Sequence, residues 1–282
     1  MSNVALVRKS DLSSFRMMAI GTWRTTRDPS VYGSIELEMD ETLRYLDALR
    51  AATGKRVTVT HLMAKAMGLL LAEMPDANAI LRFHRIYLRQ SVDIFFQVAM
   101  KDPVTGQIDL SGLTIREADR KSTIDIVDEF ERVANKVRAG KDEEKERTRS
   151  TFKRLPGFVV GPVLDAIGFL TYTLNLDLSW LGLPKDPFGS AMVTNVGSLG
   201  LEEAYVPLVP YSRVPLLVAM GALKRTVAVR EGDVVVPVTV MRLFATFDHR
   251  ILDGAHASRM ASTLHRVFAD PWSSFGGVDR PV

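Results

Sequence analysis

A histidine with two nearby carboxylates is the first feature of the sequence that has the chemistry of a reactive site. Asp248, His249 and Asp253 fall where a long apolar strand is expected to give way to a helix. A histidine there can act as a general base, because its unperturbed pKa of about 6.5 lies near neutral pH. Asp253 can fix the loop through hydrogen bonds, and Gly254 permits backbone angles that other residues resist. An ordinary Asp-Gly turn after a strand is the competing interpretation of the same pattern.

A second block, Thr194-Asn195-Val196-Gly197, places a hydroxyl at the end of another predicted strand. A hydroxyl in that position can donate a hydrogen bond to an oxyanion that forms in an acyl-transfer reaction. A strand that simply ends in a glycine-rich turn is the alternative, and the block alone does not decide between them.

The elements that must position these residues alternate between strands and helices. Period-two alternation predicts a strand over residues 32–39, and helical spacing predicts helices that begin at Asp40, after Thr58 or Thr60, at Ser122 and after Gly254. Further strands are predicted at residues 86–88, 92–100, 108–115, 191–196, 216–222, 226–230 and 234–247, with Pro237 interrupting the last. This order favours an α/β fold, an α+β two-layer sandwich in which helices cover a mixed sheet. Residues 155–188 are apolar and show no clear period.

Composition excludes several classes of protein. The 282 residues carry 36 basic and 33 acidic side chains, a balance too even for nucleic-acid binding, and there is no cysteine for a disulfide or a thiolate metal site. The five histidines are scattered and suggest no metal centre. No signal peptide and no membrane span is recognisable, so a cytoplasmic location is expected.

The two reactive blocks together resemble a known family. Asp248 to Ala255 reads Asp-His-Arg-x-x-Asp-Gly-Ala, and Thr194 to Gly197 fits Ser/Thr-Asn-x-Gly. These are signatures of the catalytic core domain of the dihydrolipoamide acyltransferases of 2-oxoacid dehydrogenase complexes, whose fold is shared by chloramphenicol acetyltransferase. The resemblance covers roughly residues 15–275 with its blocks in the family's order, and that order is more specific than any single motif.

The resemblance implies an acyltransferase that moves an acyl group between coenzyme A and a thiol such as dihydrolipoamide. His249 would be the general base, Thr194 the oxyanion donor, and Asp253 would position the loop, with Asp248, Gly254 and Asn195 in support. Acyl-CoA is then a substrate, no metal is needed, and the residues that contact CoA cannot be assigned. The family also implies a homotrimer in which His249 of one chain faces Thr194 of its neighbour, with assembly into a larger cage left open.

Three departures from the family matter. We expect a single catalytic domain over residues 1–282 without a lipoyl or peripheral-subunit-binding domain, so a lipoyl group would come from a lipoyl-carrying protein or other 2-oxoacid dehydrogenase subunits. The N-terminal helix of the family is basic, but here Met17, Met18, Thr22 and Trp23 stand near positions that are often Arg or Lys in the family. An atypical apolar insertion near residues 141–188 is predicted to form a helical hairpin at an oligomer surface.

Two alternative functions remain open at this point. One is CoA-dependent acyl transfer to a hydroxyl or amine acceptor, which a single histidine does not distinguish from transfer to a thiol. The other is a non-catalytic oligomeric scaffold. Among the remaining histidines, His61 is predicted to be structural, and His256 to be solvated although it is close in sequence to His249.

Overall fold

A computed structural model describes residues 2–10, 28–101, 108–138 and 156–280. The described strands are β1 Leu6–Arg8, β2 Ser30–Glu38, β3 Ala79–Arg82, β4 Arg85–Arg89, β5 Ile94–Lys101, β6 Ile108–Ile115, β7 Ala191–Asn195, β8 Leu216–Val229 and β9 Val235–Asp248. Six of them form one mixed sheet in the order β2-β9-β8-β7-β5-β6, in which only β7 runs parallel to its two neighbours. The other three form a small antiparallel sheet in the order β1-β4-β3.

The described helices are α1 Asp40–Thr53, α2 Val59–Glu73, α3 Thr123–Arg138, α4 Gly157–Gly168, α5 Gly254–Ala269 and α6 Pro271–Phe275. All except α4 contribute to the core on one face of the large sheet. Strand β8 shows why two layers form, since Leu216 and Val218 enter this core whereas Leu217 and Ala219 face the connection between β7 and β8 on the other side. The expected two-layer α/β fold is therefore confirmed.

Strand β8 corrects one expectation. The predicted break between residues 222 and 226 is wrong, because β8 continues as a single strand with a register shift between Met220 and Leu223. Pro237 does not interrupt β9 either, and it pairs opposite Val227. Strand β2 pairs with residues 240–248 of β9 and does not reach Pro237. On that side of β9, Pro237 faces no described strand, so the N–H group that proline lacks is not needed for a strand-to-strand hydrogen bond.

The apolar segment without a clear period contains α4, a π-helical turn at Phe169–Thr173 and a short 3₁₀ turn at Ser179–Leu181. Its described part holds no second α-helix, and Gly161 and Pro162 within α4 explain why no regular period was visible. Residues 141–155, where the rest of the predicted hairpin would lie, and the predicted N-terminal helix with Met17, Met18, Thr22 and Trp23 lie outside the described residues. Among the residues described, no helix has the length and apolar character to cross a bilayer.

Candidate active site

His249 sits in a turn that main-chain hydrogen bonds fix on both sides. Asp248 N donates to Pro215 O at the start of β8 (2.9 Å), and His249 N donates to Pro29 O just before β2 (3.0 Å). The half-buried ring of His249 lies with Nδ1 2.8 Å from the carbonyl oxygen of Leu252. A carbonyl oxygen only accepts, so Nδ1 carries the proton and Nε2 keeps the basic lone pair. This is the tautomer that a general base acting through Nε2 requires.

Asp248 shapes the same turn through its neighbour Arg250. The Arg250 side chain binds the Asp248 carboxylate in a two-point contact, with Nε–Oδ1 at 2.9 Å and Nη2–Oδ2 at 2.6 Å. The Arg250 main-chain N–H also donates to Oδ1 at 2.9 Å. The exposed fractions of the two side chains are 17% for Arg250 and 9% for Asp248, so water competes little for this ion pair.

Asp253 acts as the N-cap of α5. Its Oδ1 accepts from the main-chain N–H groups of Ala255 (3.0 Å) and His256 (3.1 Å), two of the donors that a helix start leaves without an internal partner. The cap fixes the peptide after Leu252, whose carbonyl orients His249. The expectation for Gly254 is wrong, because its φ is not in the left-handed region and an added Cβ would meet nothing within 4 Å.

His256 is not the solvated side chain that the sequence suggested. Its side chain is 13% exposed, and Nδ1 donates to Asp253 Oδ1 at 2.7 Å. Its Nε2 lies 3.8 Å from Asp76 Oδ2, and Lys9 Nζ lies 2.7 Å from Asp76 Oδ1. His256 therefore holds the Asp253 carboxylate in the position where it caps α5. The spacing of three residues between Asp253 and His256 at a helix start was the signal that could have revealed it.

Thr194 and Asn195 occupy the end of β7. Thr194 is half-buried, and Asn195 Nδ2 donates to Thr60 Oγ1 in α2 (2.9 Å) while its Oδ1 accepts from Ser198 N (2.9 Å). Gly197 explains the last position of the block, since a Cβ there would lie 2.6 Å from the Gly221 carbonyl of β8. A side chain at position 197 would therefore prevent the close approach of this turn to β8.

Thr194 and His249 are far apart within one chain. Thr194 pairs with Ala219 of β8, and Ala219 pairs with Phe244 of β9, five residues before His249. At about 3.3 Å per residue and 4.8 Å per strand, the two side chains are separated by roughly 15–20 Å. They can act on one substrate atom only if they come from different copies of the chain.

Arg213 lies in the turn before β8, beside residues 248–253, which are called the histidine loop here. Burial is the main cause that lowers the pKa of its guanidinium, followed by the positive charge of Arg250, while Asp165 of α4 acts in the opposite direction. Within the described part of the chain its buried Nε has no hydrogen-bond partner. The sequence analysis did not identify Arg213, because its electrostatic neighbours Arg250 and Asp165 are distant from it in sequence.

His61 has the structural surroundings that the sequence predicted. It is 4% exposed in the first turn of α2, its ring packs edge-on against Phe130, and its Nδ1 accepts from Thr58 N at 3.3 Å. Burial, followed by the charge of Arg56, lowers the pKa of His61 from 6.5 to about 4.

The chain is similar to acyltransferase components of several multienzyme systems. Residues 15–153 and 188–275 match the family described as 2-oxoacid dehydrogenases acyltransferase (catalytic domain). The dihydrolipoyllysine-residue acetyltransferase component of the acetoin cleaving system of Bacillus subtilis is 24% identical over 218 residues, which is 77% of this chain and 43% of that protein. The succinyltransferase component of the Saccharomyces cerevisiae 2-oxoglutarate dehydrogenase complex is 25% identical over 227 residues, 80% of this chain and 39% of that protein. The chain thus spans less than half the length of these curated relatives.

Solved structures share the fold. A dihydrolipoamide acetyltransferase of Azotobacter vinelandii superposes with a TM-score of 0.64 at 20% identity, covering 95% of this chain and 93% of that one. A probable dihydrolipoamide acetyltransferase of Listeria monocytogenes gives 0.63 at 16% identity, covering 94% and 95%. The Azotobacter structure belongs to an investigation of how a serine, a histidine and an asparagine act in the catalytic mechanism of that enzyme. Because the family match covers most of its residues, the chain belongs to the 2-oxoacid dehydrogenases acyltransferase family, as a catalytic domain.

Proposed function

We propose that the protein transfers an acyl group between coenzyme A and a thiol such as dihydrolipoamide, with His249 as general base and Thr194 as oxyanion donor. The contact of 2.8 Å between His249 Nδ1 and Leu252 O carries this proposal, because it leaves Nε2 as the proton acceptor. The Azotobacter relative supports it with a histidine and a hydroxyl side chain among its mechanistic residues.

The proposed reaction balances without any metal or redox step. Nε2 of His249 takes the proton of the acceptor thiol, and the thiolate attacks the carbonyl carbon of acyl-CoA. The tetrahedral oxyanion receives a hydrogen bond from the Thr194 hydroxyl, which is worth about 10²–10³ in rate for a comparable donor. The carbon–sulfur bond to CoA then breaks, and the leaving CoA thiolate takes the proton back from Nε2.

A homotrimer is part of the proposal. The separation of Thr194 and His249 supports it, because one complete site needs the histidine of one copy and the hydroxyl of the next. A closed ring of identical copies satisfies such head-to-tail contacts, because every copy uses both its histidine surface and its hydroxyl surface. One solved relative of the same fold is the cubic core of a pyruvate dehydrogenase complex. The proposal therefore includes the assembly of trimers into a larger cage. The lipoyl group would be supplied by a lipoyl-carrying protein or by 2-oxoacid dehydrogenase subunits.

The test is acyl transfer from acetyl-CoA and longer acyl-CoAs to free dihydrolipoamide, with His249→Ala beside the wild type. We expect the variant to lose about 10²–10⁴ in kcat, the usual contribution of a general base. His265→Ala is the matched control, because His265 is an exposed histidine on α5 and should keep full activity.

Two outcomes would contradict the proposal. A wild type that transfers acyl groups to hydroxyl or amine acceptors but not to dihydrolipoamide would replace the acceptor class. A wild type that assembles but neither binds acyl-CoA nor turns it over would identify the chain as a scaffold.

A further inference from the structure

One region of the surface is unusually apolar. The described residues 156–187, which fall in the stretch that the family match leaves out, are called the insertion here. The insertion exposes six large apolar side chains: Phe169 (47%), Leu170 (36%), Leu174 (39%), Leu176 (42%), Trp180 (78%) and Leu181 (56%). Scattered exposed apolar residues are ordinary, whereas a group of this kind within one short segment marks a surface that docks on something.

The insertion is held by polar contacts to the N-terminal residues and to the small sheet. Asn3 Nδ2 donates to Thr171 O at 3.1 Å, and Val4 N donates to Asn175 Oδ1 at 2.6 Å. Arg82 Nε of β3 donates to Thr173 O at 3.0 Å. These bonds take up polar groups of the segment between Phe169 and Leu176. The apolar side chains are therefore presented to solvent by an anchored backbone.

The small sheet adds positive charge next to the insertion. Its registers pair Arg82 with Arg85, Arg8 with Tyr87 and Leu6 with Arg89. Residues that pair directly, and residues two apart on a strand, share a face, so all four arginines lie on the face with Ile80 and Tyr87. Tyr172 of the insertion packs in the same cluster as those two side chains.

The arginines divide into two that are used internally and two that are exposed. Arg89 binds Asp186, and Arg82 binds Thr173 O and lies over the Tyr87 ring. Arg8 and Arg85 are exposed. Residues 5–10 and 79–90 contain no acid at all, so the small sheet is a purely basic surface.

The nearby acids do not cancel this charge at Arg8 and Arg85. On the insertion, Asp186 is buried against Arg89, and Asp165 acts on Arg213 at the other end of the segment. Asp177, whose Oδ1 accepts from Ser179 N (3.0 Å), is the remaining acid of residues 156–187, one negative charge beside two exposed arginines. On the side of β1, Asp76 is paired with Lys9.

We propose that the insertion and the basic face of the small sheet together dock on a phospholipid bilayer rich in anionic lipid. Aromatic and aliphatic side chains that lie beside arginines are the pattern of proteins that bind in the plane of the membrane interface, where an indole ring is favoured. Arginines near an anionic bilayer each contribute about 1 kcal/mol, a five-fold change in binding. A neutral apolar partner would leave the arginine face without a counterpart.

This surface lies close to the candidate active site. A Cβ added to Gly168, the last residue of α4, would lie 3.8 Å from Tyr211 O, and Tyr211 precedes the turn whose Pro215 carbonyl binds Asp248 N. The inference itself does not depend on the proposed acyl transfer, because lipid binding is measured without substrate.

The first test is sedimentation of the full chain with vesicles of phosphatidylcholine alone and of phosphatidylcholine mixed with phosphatidylglycerol. We expect binding to the mixed vesicles, and at least about ten-fold weaker binding for Trp180→Ser/Leu181→Ser, because two side chains leave the apolar phase. Val227→Ser/Val229→Ser on β8 is the matched control, since it removes two equally exposed apolar side chains from another surface and should bind like the wild type.

The second test measures how much the exposed arginines contribute to vesicle binding. Arg8→Ala and Arg85→Ala should each weaken binding to the mixed vesicles about five-fold, with Arg225→Ala on β8 as control, and added salt should weaken binding further. The inference is overturned if the wild type does not bind the mixed vesicles or if the insertion variants bind as well as it does. It is also overturned if Trp180→Ser/Leu181→Ser changes only the size of the assembly in light scattering, because the surface would then join copies of the chain.

Discussion

The histidine loop and the insertion differ in the side chains that they present to solvent. In the loop, the Asp248 carboxylate and the main-chain N–H of His249 have partners from the same chain. The insertion is hydrogen-bonded to the N-terminal residues and to the small sheet, but its apolar side chains at Phe169, Trp180 and Leu181 face solvent. A loop that is completed by its own fold can hold a reactive geometry on its own. A segment with exposed apolar groups is completed by something outside the chain.

The family match divides the molecule along the same line. It includes the strands and helices that carry Thr194 and His249, and it leaves out residues 154–187. The division separates the part of the chain that the family model describes from a segment that it does not cover. Changes in the first region should therefore alter rate, whereas changes in the second should alter stability or docking.

The largest effect is expected where the insertion meets the small sheet. Arg89→Met should lower the free energy of unfolding by about 3–5 kcal/mol, because it leaves the Asp186 carboxylate buried without its partner at 3.4 Å. Urea unfolding measures this loss. The double variant Arg89→Met/Asp186→Leu is the control and should recover most of it, since replacing both charges by apolar groups removes the desolvation penalty. A single variant as stable as the wild type would show that the pair does not hold the insertion.

Thr194 should affect the rate without affecting stability. Thr194→Val removes the proposed oxyanion donor and keeps the shape of the side chain, so kcat should fall about 10²–10³-fold, or about 2.7–4 kcal/mol. Thr194→Ser keeps the hydroxyl and should retain most of the rate. Steady-state kinetics beside thermal unfolding distinguishes the two. A valine variant with wild-type turnover would remove Thr194 from the mechanism.

His61 should make the framework sensitive to acid. Its pKa is about 4 in the folded protein and 6.5 in the unfolded chain, so between these values the unfolded chain binds the extra proton and stability falls as the pH falls. The loss from pH 6.5 to pH 4 is at most about 3 kcal/mol. Urea unfolding across this window measures it, with His61→Gln as the comparison. An unchanged slope in the variant would assign the acid sensitivity to other groups.

The smallest effect is expected at the cap of α5. Asp253→Ala should cost about 1 kcal/mol, because two main-chain N–H groups lose their acceptor. Asp253→Asn keeps a good cap and should be nearly neutral in thermal unfolding. Equal losses in both variants would mean that the negative charge beside His256, rather than the cap, stabilises the loop.

The sequence predicted the framework better than the details of its contacts. Period-two alternation was sufficient to predict β2, and helical spacing was sufficient to predict α1, because both patterns depend on neighbours in the chain. The continuity of β8 was missed because a bulge breaks the alternation without ending the strand. The second contact of His256, with Asp76, depends on packing between α5 and the turn after α2, which no local pattern encodes. The family signature identified His249 and Thr194 as candidates and implied that they face each other across two chains, and the sheet registers then gave their separation within one chain.

Thr194 and His249 lie two strands apart and at different levels of the sheet, so each proposed site joins halves of two copies. Two inactive variants, one lacking the histidine and the other lacking the hydroxyl, would then rescue each other when mixed before assembly. With random assortment, about a quarter of the interfaces would unite two intact halves. By the same arithmetic, an equal mixture of either inactive variant with the wild type would leave about half of the interfaces intact.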